Sequence, residues 1–184
     1  MRIVAGRFRG RALTPVGKGD AGAHLRPTPD RVRESLFSML THRDVIEGAR
    51  VLDLFAGTGA LGLEALSRGA AEVCFVENGR VGGQLLAKNI KLLGAGEEAS
   101  VLRRDATRLG AATGTYDLIF LDPPYGQGLG AKALAAGVAG EWFREDALIV
   151  WEENAAQEAP EGFEPVETRR FGDTFLTFLA FKKI

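Results

Sequence analysis

From residue 50 to residue 152 the chain alternates short apolar runs with longer amphipathic stretches. VLDLF (51–55), EVCFVE (72–77), SVLRRD (100–105), YDLIFLD (116–122) and ALIVWE (147–152) read as strands from their length and apolar, β-branched or aromatic content, YDLIFLD as a buried one. Between them, ALGLEALSRG (60–69) and GGQLLAKNIKLLG (82–94) place apolar residues at helical spacing and stop at Gly69 and Gly94, and a further helix is predicted around residues 130–140. Strands and helices in this order predict an α/β domain with a mostly parallel sheet covered on both faces. The tail differs: EPVETRRF and TFLTFLAFKK, separated by Gly172-Asp173, predict an antiparallel hairpin at a sheet edge. At the other end, residues 1–16 suit a small hairpin turning near Gly6 to Gly10, and residues 17–28 read as a loop. After Pro29, the residues Val32, Leu36, Phe37, Met39 and Leu40 form a helical stripe that Asp30 could cap, with Arg31 and Arg33 on another face.

Composition narrows the class. A chain of 184 residues, 46% hydrophobic and 26% charged, suits a single globular domain rather than a disordered chain, and a lone cysteine excludes a disulfide scaffold. No apolar run approaches the ~18 residues of a membrane span, and arginines interrupt MRIVAGRFRG where a signal peptide would be apolar, so a cytoplasmic protein with no membrane partner is expected. The net charge of −1 hides an asymmetry: residues 1–43 hold nine Lys/Arg against three Asp/Glu, and the remainder is acidic. A basic arm crowded with Arg2, Arg7, Arg9 and Arg11 suits a polyanion, though a solvated basic face has the same composition.

Chemistry concentrates at two strand ends. The first strand runs into Gly57-Thr58-Gly59-Ala60-Leu61-Gly62, a glycine loop between strand and helix of the kind that meets nucleotide-like ligands through main chain. Glu77 follows Gly57 by 20 residues, the spacing at which a carboxylate takes ribose hydroxyls. An NAD-binding oxidoreductase would share these features. Asp53 tips the balance, since a carboxylate just upstream of the loop repels a pyrophosphate but attracts the ammonium of S-adenosylmethionine, which carries a sulfonium and no phosphate. Asp105, ending the third strand, lies where an adenine amino group could be read, although it could equally cap the next turn.

The fourth strand ends in Asp122-Pro123-Pro124-Tyr125. Two prolines cannot continue a central strand, and their rigidity would hold a main-chain carbonyl beside the Asp122 carboxylate. Such converging acceptors suit the exocyclic amine of a nucleobase, with Tyr125 as a stacking face worth about 1–3 kcal/mol.

Together, VLDLFAGTGALGLEAL, the VE at 76–77, RRDA at 103–106 and DPPY at 122–125 resemble the motif series of class I S-adenosylmethionine-dependent amino-methyltransferases. More narrowly, RIVAGRFRGRALTP, LRPTPDRVRESLFSML, FAGTGALGLEALSRGA and the late FGDT resemble the RsmD family of bacterial 16S rRNA guanine-N2 methyltransferases, over nearly the whole chain. The resemblance implies a Rossmann-like class I methyltransferase fold with a seven-stranded, mostly parallel sheet. It divides the chain into a basic RNA-binding hairpin and helix over residues 1–45 and a methyltransferase domain over 46–184. It implies that Asp53, Phe55, Gly57, Gly59, Glu77, Asp105 and Ala106 bind S-adenosyl-L-methionine. Asp122, Pro123, Pro124 and Tyr125 would be catalytic. Arg26, Thr28, Arg31 and Arg33 match the family's N-terminal element and would border the cofactor and RNA entrance, with Tyr125 on the base; the charge of the basic arm adds Arg7, Arg9 and Arg11 as substrate contacts. The partner implied is 16S rRNA, free or within the small ribosomal subunit or an assembly intermediate, with the protein acting as a monomer. One departure is Asn78-Gly79-Arg80 after Glu77, where the family often has a second acidic or polar residue followed directly by Arg.

Several residues read as structural. Cys74 inside the second strand is expected to pack as a small hydrophobe, and no cysteine follows Pro124 to serve methylation at a cytosine carbon. His24 and His42 have no second ligand at metal spacing, so no metal is expected. Trp142 and Trp151 read as core or interface residues. The run from Glu145 to Glu164, with seven acids and no Lys or Arg, is expected on the face away from RNA. Rival readings are a DNA or RNA adenine-N6 methyltransferase using the same DPPY, the NAD oxidoreductase, and a non-catalytic RNA-binding module.

Overall fold

The computed structural model describes residues 1–15 and 28–183. Its elements in chain order are α1 (Asp30–His42), β1 (Arg50–Leu54), α2 (Ala60–Ser67), β2 (Glu72–Val76), α3 (Arg80–Leu93), β3 (Ala99–Leu102), β4 (Tyr116–Leu121), α4 (Leu129–Ala139), β5 (Phe143–Glu153), β6 (Phe163–Phe171) and β7 (Thr174–Phe181). The seven strands form one sheet in the order β3-β2-β1-β4-β5-β7-β6. The first five are parallel, β7 runs antiparallel beside β5, and β6 pairs with β7 at the edge. This is a Rossmann-like, mostly parallel seven-stranded sheet with an antiparallel C-terminal hairpin, as expected.

Alternation along the strands fills two apolar layers. Val51, Phe75, Phe120, Val150 and Phe178 join one cluster with residues of α1, α2 and α3, while Leu52, Cys74, Ile119, Trp151 and Leu179 join the other with Ala133 and Leu134 of α4. Trp142 and Trp151 are both buried in the second cluster. The N-terminal hairpin, closed by the Arg2–Ala12 bridge, contributes Ile3 and Leu13 to the first cluster. β5 starts earlier than its apolar pattern implies, because Phe143–Asp146 carries exposed Arg144, Glu145 and Asp146 and shows no alternation to read.

Asp30 does not cap α1: the N-cap is Pro29, without a side-chain bond, and the Asp30 carboxylate instead accepts a hydrogen bond from Arg33 at 2.9 Å. Among the described residues no helix is long and apolar enough to cross a membrane.

Candidate active site

Because β1, β2, β3, β4 and β5 are parallel, their carboxyl ends line one edge of the sheet, and the order of connection reverses between β1 and β4. Open α/β sheets bind ligands at such a reversal. Here it brings the glycine loop after β1 beside the Asp122-Pro123-Pro124-Tyr125 turn after β4, with Leu54 and Leu121 in register and the Asp122 N–H donating to the Leu54 carbonyl at 3.4 Å.

The glycine loop turns sharply. Phe55, Gly57 and Gly59 all have positive φ, of 60°, 56° and 84°, a region that costs a non-glycine residue such as Phe55 about 1–3 kcal/mol. A Cβ on Gly62 would lie 2.4 Å from the Phe75 ring, so glycine there lets α2 lie directly on β2. Asp53 sits underneath: it is 1% exposed, its Oδ2 accepts the Gly62 N–H at 3.0 Å, and its Oδ1 is buried with no hydrogen-bond partner among the described residues. Burial pushes its carboxyl from the usual range up to about 8, against the lowering effect of the Gly62 N–H and with a smaller push from Glu77. Asp53 therefore acts on the strand edge through the loop above it.

Glu77 ties two loops together, accepting the Gly57 N–H on Oε1 at 2.8 Å and the Gly79 N–H on Oε2 at 2.7 Å. Asp105 accepts both the main-chain N–H and the hydroxyl of Thr107, at 2.8 and 2.7 Å, and these bonds hold its carboxyl below the usual range. Glu77 follows β2 directly, as expected, whereas β3 stops at Leu102 and Asp105 stands three residues past the strand end in the following turn; each acid is also a local main-chain brace. Ala106 is buried in the α4-side cluster, so its contact with a ligand would run through main chain. Asn89 of α3 carried no signal beyond being a polar residue in an amphipathic helix. It is fully buried and takes the Thr14 N–H at 2.7 Å while donating to the Thr58 carbonyl at 2.9 Å, clamping the N-terminal segment to the glycine loop.

The turn after β4 is held from β5. The Tyr125 hydroxyl donates to Glu152 Oε1 at 3.4 Å, the Gly126 N–H donates to Glu153 Oε1 at 3.1 Å, and the Thr28 hydroxyl donates to Glu152 Oε2 at 2.8 Å. For Glu152 and Glu153 this overturns the expectation that the acidic run from Glu145 to Glu164 lies away from the site. Since β5 runs parallel to β4, its last residues emerge at the same edge, and Glu152 and Glu153 are buried there. The strand reading of 147–152 held the signal, since the last residue of a parallel neighbour ends at the ligand edge.

The N-terminal arginines separate. Arg33 is 0% exposed, which rules out contact with substrate: it donates to the Arg2 carbonyl and to Asp30 and stands 3.6 Å from Glu64, an ion pair too long for a hydrogen bond. Arg33 staples α1 to α2 and the hairpin. Arg7 pairs with Glu98 at 2.9 Å beside the carboxyl end of α2, and Arg11 donates to the Leu92 carbonyl near the end of α3 at 2.5 Å. These contacts sit at the end of the sheet opposite the strand tips, since α2 and α3 run back from that edge. Arg9 and Arg31 are exposed. Arg26 and His24 lie outside the described residues. Among the described residues no three His, Cys, Asp or Glu side chains are grouped to hold a metal.

The family described as Conserved hypothetical protein 95 matches residues 1–180 of the chain. The ribosomal RNA small subunit methyltransferase D of Escherichia coli K12 is 42% identical over 161 residues, covering 87% of this chain and 78% of that protein. Its namesake in Haemophilus influenzae is 39% identical over 153 residues, covering 81% and 76%. Among solved structures, yhhF from Escherichia coli superposes with a TM-score of 0.84 at 37% identity, covering 99% of this chain and 98% of that one. An RNA methyltransferase from Salinibacter ruber in complex with S-adenosyl-L-homocysteine shares the fold, with a TM-score of 0.67 at 18% identity over 86% of this chain and 95% of that one. With its sheet order, its glycine loop and DPPY turn side by side, and these relatives, the chain belongs to the Conserved hypothetical protein 95 family, the RsmD family of methyltransferases.

Proposed function

We propose that the protein transfers a methyl group from S-adenosyl-L-methionine to the exocyclic N2 amine of a guanine in small-subunit ribosomal RNA. The observation that carries this reading is the adjacency of the glycine loop after β1 and the Asp122-Pro123-Pro124-Tyr125 turn after β4, which puts a donor site and an amine site side by side. The names of the relatives supply the RNA class.

The residues present fit the methyl donor. Asp53 Oδ1 is buried beneath the loop with no hydrogen-bond partner among the described residues, a polar atom left for a ligand, and Glu77 and Asp105 on the strand edge make a poor setting for a pyrophosphate and a favourable one for a cationic ligand. Asp53 would hold the methionine end through the Gly57–Gly59 loop, with Phe55 beside it, Glu77 the ribose, and Asp105 with the Ala106 main chain the adenine. Bound there, the donor supplies an electrophilic methyl on sulfur and departs as S-adenosyl-L-homocysteine.

Asp122 and the Pro123 carbonyl accept the two N–H bonds of the amine, which weakens its conjugation with the ring and aims its lone pair at the methyl carbon. Once the nitrogen carries the methyl, its surplus proton passes to the Asp122 carboxylate and on to water. Tyr125 holds the base by stacking. Most of the acceleration in such a site is positioning, with the reacting atoms at roughly 3–3.5 Å. The exposed Arg31, at the start of α1 close to Thr28, supplies a cation for the RNA backbone beside the site.

The test is to incubate the protein with labelled S-adenosyl-L-methionine and RNA, ribosomal subunits or DNA, then digest and identify the product. N2-methylguanosine from ribosomal RNA is the expected result. N6-methyladenine in DNA, or no transfer to any of the three, refutes the reading.

A further inference from the structure

Glu152 stands where a second acceptor for the target base belongs. Leu121 of β4 pairs with Trp151 of β5, so the next positions along the two parallel strands are Asp122 and Glu152. Residues in register on parallel strands project from the same face of the sheet, about 4.8 Å apart. The preceding same-face residues, Phe120 and Val150, both enter the cluster beneath α1, α2 and α3. Glu152 is 6% exposed, and the Thr28 hydroxyl orients it through Oε2 at 2.8 Å. The contact of Oε1 with the Tyr125 hydroxyl, at 3.4 Å, is longer than the usual 2.5–3.0 Å of an O–H···O bond and is readily exchanged for a stronger donor. A carboxylate has about four acceptor directions, so a further N–H can join donors already present.

Guanine presents two kinds of donor side by side on its pairing edge: the N2 amine and the neighbouring N1–H. Adenine presents its N6 amine beside an N1 lone pair. On the function proposed above, we infer that Glu152 selects guanine, accepting the N1–H of the target base while Asp122 and the Pro123 carbonyl hold its N2 amine. A carboxylate facing the N1 lone pair of adenine or 2-aminopurine meets repulsion in place of a hydrogen bond. The same residue thus rejects a base whose amine would otherwise fit the DPPY turn.

The experiment uses the RNA fragment that accepts methyl from the wild-type protein, synthesised with either guanosine or 2-aminopurine at the mapped position. 2-Aminopurine keeps the 2-amine but has a lone pair at N1. In single-turnover assays the wild type is expected to methylate the 2-aminopurine RNA at least about tenfold more slowly, as sites built around a substrate N–H do when it is absent. Glu152→Gln, which can offer an N–H to that lone pair, is expected to lose about tenfold or more on guanosine RNA and to narrow the preference by at least about tenfold. Equal wild-type rates on the two RNAs overturn the assignment without any variant, so it stays falsifiable even if Glu152→Gln fails to fold. Loss on both RNAs by the same factor in Glu152→Gln also overturns it, and leaves Glu152 holding Tyr125 and Thr28 in place. If the wild type methylates no RNA at all, the functional reading falls and this assignment falls with it; if it methylates guanosine and the preference fails, only the assignment falls.

Discussion

Arg33→Met separates a structural arginine from a substrate-binding one. The substitution keeps a long unbranched side chain but removes the cation that stands 3.6 Å from Glu64, with both side chains 0% exposed. Removing one member of a buried pair costs about 3–5 kcal/mol because the other charge stays behind in low dielectric. The lower end applies here, since Glu64 keeps the Val4 N–H at 2.9 Å, the Ala5 N–H at 3.2 Å and Arg68 at 2.9 Å. A loss of about 3 kcal/mol corresponds to a fall in Tm of roughly 6–12 °C for a domain of this size.

Urea denaturation with an unchanged m-value, checked by calorimetry, measures that loss. Glu64→Gln retains an acceptor for the hairpin amides. It is expected to be milder by more than about 1 kcal/mol in the Arg33→Met background than alone, because the charge it removes has already lost a partner. Below the unfolding temperature the slope of log RNA affinity against log salt is expected to match wild type, as no phosphate contact has been removed. A stability loss under about 1 kcal/mol would refute the structural role of the buried pair, and a salt slope lower by about one would show that Arg33 contacts RNA phosphate.

Three further outcomes are expected. Asp122→Ala should nearly abolish methyl transfer while leaving S-adenosyl-L-methionine affinity by calorimetry within a few fold; normal turnover removes Asp122 from the chemistry. Asp53, raised from 3.8 to about 8, binds its proton more tightly when folded, so its stabilising share is complete below about pH 4 and is lost as pH rises toward 8. Relative to wild type, Asp53→Asn should accordingly gain about 1 kcal/mol in unfolding free energy per pH unit between pH 5 and 7, and parallel pH profiles refute the shift. Gly62→Ala puts a Cβ 2.4 Å from the Phe75 ring and 2.8 Å from Val73, so a loss of about 1–3 kcal/mol by urea denaturation is expected, and an unchanged midpoint would mean that α2 moves freely off β2.

How far the sequence carried depends on the range of the interaction. Strand and helix identities were legible because each element repeats its own period, as in Val51, Leu52 and Leu54 of β1 or Leu86, Ile90 and Leu93 of α3. The glycine loop and the DPPY turn were legible for a related reason: sharp backbone turns need glycine and proline whatever surrounds them. Asp30 as a cap was misread because a capping residue and a first-turn residue one position later look alike in sequence, and the Arg33 that claims its carboxylate is a neighbour only once α1 forms.

Charge was the poorest guide. Arg33, among exposed-looking arginines, is sealed by Glu64, which lies 31 residues away on α2, and Glu152, inside an acidic run, arrives beside Tyr125 only because β5 lies parallel to β4. The sequence by itself determined which segments become strands, helices and tight turns, since those follow from local steric and solvation preferences. The tertiary structure alone decided which charges meet substrate and which hold helices together, because the energy of a charge depends on the partners and the dielectric that distant segments bring to it.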